Sequence, residues 1–254
     1  METLKQDVGA ALLHKGRYVA RLAAGAADLR ATQALRYRCF VARGGAGDGV
    51  DSDIFDAACQ HVMIEDHGGA LACCFRILPL TSGAEIHTSY AAQFYDLSRL
   101  NAFDAPMVEV GRFCISPDAA DSDVLRVAWG ALARIVDARG VKMLFGCSSF
   151  VGVDPTPARE AFAVLRDRHT APAQWRPRVK SPEFVGFESC GQVGDRLAAL
   201  RAMPSLLRSY LAMGGWVSDH AVIDRTMNTM HVFTGLEIDA VPPARAAALR
   251  ALAR

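Results

Sequence analysis

The spacing of apolar residues along the chain predicts a succession of short strands and helices. Alternating or continuous apolar runs predict strands at residues 16–24, 59–66, 70–80, 106–115, 141–150 and 229–238. Apolar residues three and four positions apart predict helices at residues 27–42, 122–140, 158–168 and 204–213, with a terminal helix that begins near Pro243. Because helices alternate with strands over only part of the chain, the pattern favours an α/β fold with a mixed β-sheet flanked by helices.

Turn and capping residues mark several of these boundaries. His67-Gly68-Gly69 separates two predicted strands as a hairpin turn does, and Ser122 and Gly140 suit the two ends of the long helix. The glycine-rich residues 43–49 are expected to be a mobile connector, with a substrate lid as the alternative. No repeat or low-complexity linker interrupts the chain. We therefore expect a single domain over residues 1–254, with residues 200–254 as a C-terminal extension packed on it.

Composition and charge exclude several classes of protein. The 254 residues are 51% hydrophobic and 22% charged, which is typical of a globular chain. A net charge of +1 disfavours a nucleic-acid partner, and no apolar stretch suits a signal peptide or a membrane-spanning helix. The seven cysteines, of which Cys73 and Cys74 are adjacent, suit a reducing compartment. We therefore expect a cytoplasmic protein.

Common signatures of catalysis and cofactor binding are absent from the sequence. The chain has no H-E-x-x-H, G-x-S-x-G or phosphate-loop motif, and we expect no resident metal or cofactor. His220 and Asp224 stand one residue too close for the His-x4-Asp motif of glycerol-phosphate acyltransferases, so that mechanism is rejected.

Charged residues inside apolar strands are the remaining candidates for a site. Arg76, Glu109 and Arg112 lie in such strands, where an unpaired charge is costly, so they form either a structural salt bridge or a functional site. A bulge at Gly111 would turn Glu109 and Arg112 towards each other. An acidic cluster follows the first predicted helix, at Asp48, Asp51, Asp53 and Asp56. Composition alone favours a solvated loop for this cluster.

These residues stand in four motifs with a familiar order. The motifs are Arg36-Tyr37-x-x-Phe40, Asp51-x-Asp53-x-Phe55-Asp56, Phe75-Arg76-x-Leu78-Pro79 and Glu109-x-x-Arg112-Phe113. Over residues 18–236 the chain resembles the acyl-homoserine-lactone synthases. In residues 111–150 and 204–236 it is more similar to a sister group, the ornithine acyl-ACP N-acyltransferases. Relatives often carry an acidic residue near the end of the last segment where this chain has His231, so His231 is given no role.

The resemblance implies a GNAT-like fold, with a mixed sheet splayed around its central strand and flanked by helices. It also implies a reaction in which a 3-hydroxyacyl chain passes from acyl carrier protein to the α-amine of L-ornithine, which gives lyso-ornithine lipid. The donor carries 4′-phosphopantetheine. Residues 116–123 contain no glycine and three aspartates, which supports this donor over coenzyme A, since carboxylates repel a diphosphate.

The resemblance also implies roles for residues of the central strand. Glu109 is the candidate base that takes a proton from the attacking amine, directly or through a water molecule. Backbone N–H groups near Phe113 and Cys114 are the candidate donors to the oxyanion. A guanidinium suits the ornithine carboxylate and a carboxylate suits its δ-ammonium group. The candidate substrate-binding residues are Arg36, Asp51, Asp53, Arg76, Arg112 and Asp224.

Two further sets of residues are expected to hold the donor. An apolar pocket for the acyl chain is assigned to Phe113, Leu144, Phe145 and Phe150, which are ordinary core residues in the alternative interpretation. An acidic carrier protein needs a basic surface. The candidates for it are Arg134, Arg139 and Lys142, or Arg176, Arg178 and Lys180.

Two other functions remain open at this point. One is an acyl-homoserine-lactone synthase that uses S-adenosylmethionine, and the other is an inactive GNAT fold that binds lipid or carrier protein. An amphiphilic product also allows contact with the inner membrane. The terminal helix, with Arg245, Arg250 and Arg254 among Ala and Leu, either lies on anionic lipid or packs on the domain.

Overall fold

The structure is a computed structural model that describes residues 9, 11–42, 47–119 and 123–253. Its strands are β1 (Ala11–Lys15), β2 (Tyr18–Leu22), β3 (Gln60–Asp66), β4 (Leu71–Leu80), β5 (Tyr95–Asp96), β6 (Met107–Ile115), β7 (Met143–Val151), β8 (Arg178–Val179), β9 (Phe184–Gly186), β10 (Trp216–Val217), β11 (His220–Asp224) and β12 (Thr229–Glu237). Its α-helices are α1 (Ala26–Arg36), α2 (Asp123–Arg139), α3 (Arg159–His169), α4 (Arg196–Ala202), α5 (Ser205–Ala212) and α6 (Pro243–Leu252). Two compact units result, one from residues 1–78, 110–140 and 243–254, the other from residues 79–109 and 141–242.

The first unit is a sheet with helices packed on it. Its strand order is β1-β2-β3-β4-β6, and β1 to β4 pair in antiparallel fashion. Helix α2 packs against β1, β2 and β3 and also against α6. Arg250 of α6 forms an ion pair with Asp137 of α2 at 3.1 Å, and Arg134 donates to the carbonyl of Ala253 at 3.1 Å. The terminal helix therefore packs on the fold, one of the two alternatives that the sequence leaves open.

The second unit contains both parallel and antiparallel strands. Its strand order is β6-β7-β12-β11-β9, in which β6 and β7 are parallel and pair Met107–Glu109 with Met143–Phe145. Strand β7 pairs with β12, and β12 with β11, in antiparallel fashion. Helix α3 contributes to the hydrophobic core of this unit, which includes Phe150, Phe162, Leu165, Phe187, Leu207 and Val232. The mixed α/β fold predicted from the sequence is confirmed.

Most of the predicted elements are present, and the differences have local causes. All six predicted strands lie within two residues of their expected bounds. The strand predicted at residues 16–24 is β2, and it forms a hairpin with β1, because Gly16 at φ 56° turns the chain between the two strands. Helix α1 ends at Arg36 and continues as a π-helical turn, Tyr37–Val41.

Three further predictions concern the Ser122 cap, the connector at residues 43–49 and the C-terminal extension at residues 200–254. Ser122 and residues 43–46 of the connector lie outside the described residues. Residues 200–254 are divided between the two units, and β12 lies between β7 and β11. Strands β1, β5, β8, β9, β10 and β11 and helix α4 were not predicted.

Candidate active site

Six charged side chains of the first unit form one ion-pair cluster. Its members are Arg36, Asp51, Asp53, Asp56, Arg76 and Arg112. Arg36 ends α1, Arg76 lies in β4 and Arg112 in β6, whereas the aspartates follow one another in the segment between α1 and β3. The amide of Asp51 donates to the carbonyl of Gln33 at 3.0 Å, which fixes this segment to α1.

Each aspartate of the cluster accepts hydrogen bonds from two arginines. Asp51 Oδ2 accepts from Nε of Arg36 at 2.8 Å and from Nε of Arg112 at 3.0 Å. Asp53 accepts from both terminal nitrogens of Arg76, at 2.5 and 2.9 Å, and from Nη2 of Arg112 at 3.1 Å. Asp56 Oδ1 accepts from Nη1 of Arg36 and Nη1 of Arg76, both at 2.7 Å. Three of the four aspartates of the acidic cluster are therefore paired with arginines, whereas Asp48 is exposed as in a solvated loop.

Burial and opposite charge act against each other within this cluster. Burial by itself raises the pKa of Asp56, but hydrogen bonds from Arg36 and Gln33 outweigh it and lower that pKa to about 2. The pKa of Asp53 is also lowered, since the bonds and charge of Arg76 outweigh desolvation. The guanidinium groups thus keep the carboxylates of Asp53 and Asp56 ionised.

Exposure differs along the cluster. The side chains of Arg36 and Arg76 are 1% and 3% exposed, whereas those of Arg112 and Asp53 are 13% and 20% exposed. Nη2 of Arg36 is buried and has no hydrogen-bond partner among the residues that the structure describes. The solvent-exposed edge of the cluster is therefore formed by Arg112 and Asp53.

Arg112 has a left-handed backbone conformation. Its φ is 51°, which is uncommon for a residue other than glycine and costs about 1–3 kcal/mol. The sequence predicted the irregularity at Gly111, but the positive φ falls on Arg112. Its two ion pairs, with Asp51 and Asp53, stabilise this conformation.

Glu109 is buried at the end of the parallel ladder in the second unit. One carboxylate oxygen accepts from the amide of Tyr90 and the other from the amide of Ala91, both at 2.8 Å. These amides begin a short 3₁₀ turn, Ala91–Gln93. The two bonds fix the orientation of the carboxylate and tie the turn to β6.

Phe113 and Cys114 follow Arg112 on β6 and pack in the first unit. The ring of Phe113 stacks on Phe75 with centroids 5.4 Å apart. Cys114 is buried with its sulfur 3.5 Å from that of Cys74, in a small apolar cluster with Leu35. Their side chains therefore pack as core, and the proposed oxyanion donors are backbone groups.

The predicted acyl-pocket residues and Asp224 belong to the second unit. Leu144, Phe145 and Phe150 are buried; Phe145 stacks on Phe233, and Phe150 packs edge-on against Phe162. Asp224 ends β11 and accepts from the amide of Met227 at 3.0 Å, which closes the turn to β12.

The basic residues predicted to contact a carrier protein divide into two sets. In the first unit, Arg134 is exposed, whereas Arg139 is half-buried and donates to Gln60. In the second unit, Lys142 is exposed and pairs with Asp239 at 3.1 Å.

Arg178 and Lys180, also in the second unit, are exposed. Arg178 lies 3.9 Å from Asp96, and Lys180 donates to the carbonyl of Ala92 at 2.5 Å. Arg176 is half-buried and donates to the carbonyl of Ala171.

Tyr95, His220 and His231 form a buried cluster that was not predicted from the sequence. His231 pairs with Val222, so His220, two residues earlier, lies on the same face of the sheet. The hydroxyl of Tyr95 donates to the carbonyl of His231 at 2.7 Å. Nε2 of each histidine is buried and lacks a hydrogen-bond partner within the described part of the chain. Burial lowers the pKa of His231 to about 4, so its imidazole is neutral at neutral pH.

The fold is similar to that of a known class of protein. The family model described as "Acetyltransferase (GNAT) domain" matches residues 35–130, which contain Glu109 and all six members of the ion-pair cluster. FeeM, an N-acyl amino acid synthase from uncultured soil microbes, has a similar fold, with a TM-score of 0.52 and 12% identity. The match covers 89% of this chain and 94% of FeeM. The chain thus has a GNAT-type fold.

Sequence comparison identifies the family within that class. The chain is 35% identical to the L-ornithine N(alpha)-acyltransferase of Rhodobacter capsulatus over 88% of its own length and 91% of that protein. It is 26% identical to the protein of the same name from Brucella abortus, over 89% and 86% of the two chains. The chain therefore belongs to the L-ornithine N(alpha)-acyltransferase family, and the resemblance stated from its motifs is confirmed.

Proposed function

We propose that this protein transfers an acyl chain from a thioester to the α-amine of L-ornithine. Nitrogen attacks the thioester carbonyl, the carbon–sulfur bond breaks, and the products are an N-acyl-ornithine, which is a lyso-ornithine lipid, and a free thiol. The observation that carries this proposal is the 35% identity to an L-ornithine N(alpha)-acyltransferase along 88% of the chain.

The proposed donor is a 3-hydroxyacyl chain on the 4′-phosphopantetheine of acyl carrier protein. A coenzyme A diphosphate would need free N–H groups at the start of α2, but residues 116–123 carry three aspartates and no glycine. Among them Asp118 is exposed and pairs with Arg38 at 2.7 Å. An acidic carrier protein can contact the exposed Arg134 in the first unit, or Lys142, Arg178 and Lys180 in the second.

Ornithine recognition is assigned to the exposed edge of the ion-pair cluster. Arg112 is the most exposed of the three guanidinium groups and is proposed to bind the α-carboxylate. Arg36 adds a buried donor, Nη2, within the same cluster. Asp53 is proposed to bind the δ-ammonium group, while Asp51 and Arg76 hold the two binding residues in place.

The chemical step is assigned to β6. Glu109 accepts the proton that the attacking nitrogen loses, and its two amide hydrogen bonds hold the carboxylate in one orientation. Backbone N–H groups near Phe113 and Cys114 stabilise the oxyanion. Phe113, Leu144, Phe145 and Phe150 are proposed to contact the acyl chain, and Asp224 remains a predicted substrate-binding residue.

The test is an assay of the purified protein with 3-hydroxyacyl carrier protein and either L-ornithine or S-adenosylmethionine. We expect a mass spectrum with N-acyl-ornithine in the first reaction and no acyl-homoserine lactone in the second. Lactone formation would assign the alternative synthase activity. If neither product forms while carrier protein still binds, the protein is a binding module and the proposal is wrong.

A further inference from the structure

Helix α4 presents two leucines to solvent in the second unit. Leu197 and Leu200 are 63% and 39% exposed, three residues apart and hence on one side of the helix. The opposite side is packed, since Ala199 is buried and belongs to the core cluster that includes α3. The exposed leucines are therefore a face of a fixed helix and not a frayed end.

Arginines border these leucines on both sides. At 3.6 residues per turn, each step rotates by about 100°. The exposed arc of α4 then reads Arg196, Leu200, Leu197, Arg201 in order around the helix, and both arginines are exposed. Apolar residues at the centre with long cationic side chains at the edges are the arrangement of a helix that lies in a lipid headgroup region.

The charge of the surrounding segment has one sign. From Arg196 to Val217 the sequence contains three arginines and no acidic residue, and Arg208 on the neighbouring helix α5 is exposed too. The nearest acidic residue before this segment is Asp195, whose carboxylate accepts from the amides of Leu197 and Ala198 and caps α4. This face is therefore cationic around an apolar centre.

We propose that this face, which comprises Arg196, Leu197, Leu200 and Arg201, binds the surface of an anionic lipid bilayer. The leucines enter the headgroup region and the arginines contact lipid phosphates. Among the described residues no helix is long and apolar enough to cross a bilayer, so the contact is peripheral. The choice of lipid over protein rests on the proposed function, whose product is itself a membrane lipid.

Binding is measured by sedimentation of the full-length protein with vesicles of phosphatidylglycerol and phosphatidylcholine, or of phosphatidylcholine alone, without substrates. The wild-type protein should sediment with the anionic vesicles. L197D/L200D should lower the partition coefficient about tenfold or more, because it removes both inserted side chains. R196S/R201S should lower it about 25-fold on anionic vesicles, because each arginine near such a surface accounts for about fivefold.

Two matched variants control these results. V151D introduces a carboxylate at another exposed apolar residue of the same unit, 81% exposed, and should leave binding unchanged. R126S/R245S removes two exposed arginines of the first unit, one of them on α6, and should also bind normally. Circular dichroism verifies that each variant is folded.

The possible outcomes separate this proposal from the proposed function. Absence of wild-type binding to anionic vesicles, or full binding by L197D/L200D, overturns the lipid surface. Loss of carrier-protein binding by R196S/R201S with vesicle binding intact assigns the face to a protein instead. Acyl transfer to ornithine from a short-chain donor without vesicles should be equal in all variants. If that activity is absent from the wild-type protein while vesicles still bind, only the proposed function fails.

Discussion

At the residue scale, the ion-pair cluster shows how this fold accommodates buried charge. Arg36 and Arg76 are almost fully buried, and a lone buried guanidinium is costly. Asp56 contacts both of them through one oxygen, while its other oxygen accepts from Nε2 of Gln33 at 2.9 Å. Removal of this one carboxylate would therefore leave two buried guanidinium groups, those of Arg36 and Arg76, without the negative charge that they share.

Asp56→Asn is expected to destabilise the protein. The substitution keeps the size of the side chain but removes the charge that Arg36 and Arg76 share, so unfolding free energy should fall by about 3 kcal/mol at pH 7. Urea denaturation measures the difference. Asp48→Asn alters an exposed aspartate of the same segment and should change stability by less than about 0.5 kcal/mol.

The stability difference between the wild-type protein and Asp56→Asn should depend on pH. The pKa of Asp56 in the folded protein, about 2, lies below the value of about 3.9 for an unfolded aspartate. Its stabilisation is therefore complete above about pH 4 and is lost as the pH falls towards 2. The stability difference between wild type and Asp56→Asn should shrink over this interval. A difference that stays constant would show that charge is not its origin.

At the scale of elements, strand β6 carries both the candidate base Glu109 and Arg112 of the ion-pair cluster. Glu109 lies at the end of its parallel ladder and Arg112 three residues later in a left-handed conformation. The carboxylate of Glu109 also holds the 3₁₀ turn that begins at Ala91. Substitution of Glu109 thus affects both a proposed proton acceptor and a structural bond.

Glu109→Gln is expected to lower kcat/KM about 100-fold or more with ornithine, because a proton acceptor is lost. Its amide NH₂ also faces a backbone N–H, so one structural bond is lost too. An amine that is already unprotonated at neutral pH, such as hydroxylamine, separates these effects. If Glu109 removes the proton from the ornithine ammonium group before attack, the variant should lose much less activity with hydroxylamine, which needs no such step, than with ornithine.

Ser89→Ala is the matched control for that experiment. The hydroxyl of Ser89 donates to the carbonyl of Ile86 at 2.7 Å and accepts from the amide of Ala92 at 3.2 Å, so the variant loosens the same turn. It leaves the carboxylate in place and should lower the rates with both amines by the same factor. Equal losses in Glu109→Gln as well would contradict the role of base.

The elements that the sequence predicted are the ones with enough residues to show a pattern. Strands β4, β6, β7 and β12 each have nine or ten residues, and buried runs of that length are visible in the hydrophobic pattern. Strands β8 and β10 have two residues each, which is too short for a period of two to be recognised. They depend on pairing partners that are distant in sequence.

The members of the ion-pair cluster were singled out from the sequence, but their pairing was not predicted. Charges inside apolar strands and the family motifs selected the arginines and aspartates of the cluster. Which carboxylate meets which guanidinium depends on strand register and on the left-handed φ of Arg112, neither of which the local sequence specifies. The buried His220 and His231 carried no recognisable signal, since a histidine in an apolar run looks the same whether its ring is satisfied or not.

At the scale of the whole molecule, the first unit is assembled from the two ends and the middle of the chain. Leu13 of β1, Gly130 of α2 and Leu252 of α6 meet at one point. A Cβ atom on Gly130 would lie 2.7 Å from Cδ2 of Leu13 and 3.2 Å from the carbonyl oxygen of Leu252. Gly130 is therefore required by the close approach of three distant segments.

Gly130→Ala has two opposing effects on the free energy of unfolding. Alanine in place of glycine inside a helix contributes about 1 kcal/mol of stability, whereas overpacking costs about 1–3 kcal/mol. Because Leu252 meets the new methyl group with backbone, which yields less readily than a side chain, we expect net destabilisation by about 1 kcal/mol in thermal or urea denaturation. The exposed Ala138 of the same helix is the control, since Ala138→Gly measures helix propensity alone. A Gly130→Ala protein more stable than wild type would mean that α6 does not pack against Gly130 in solution.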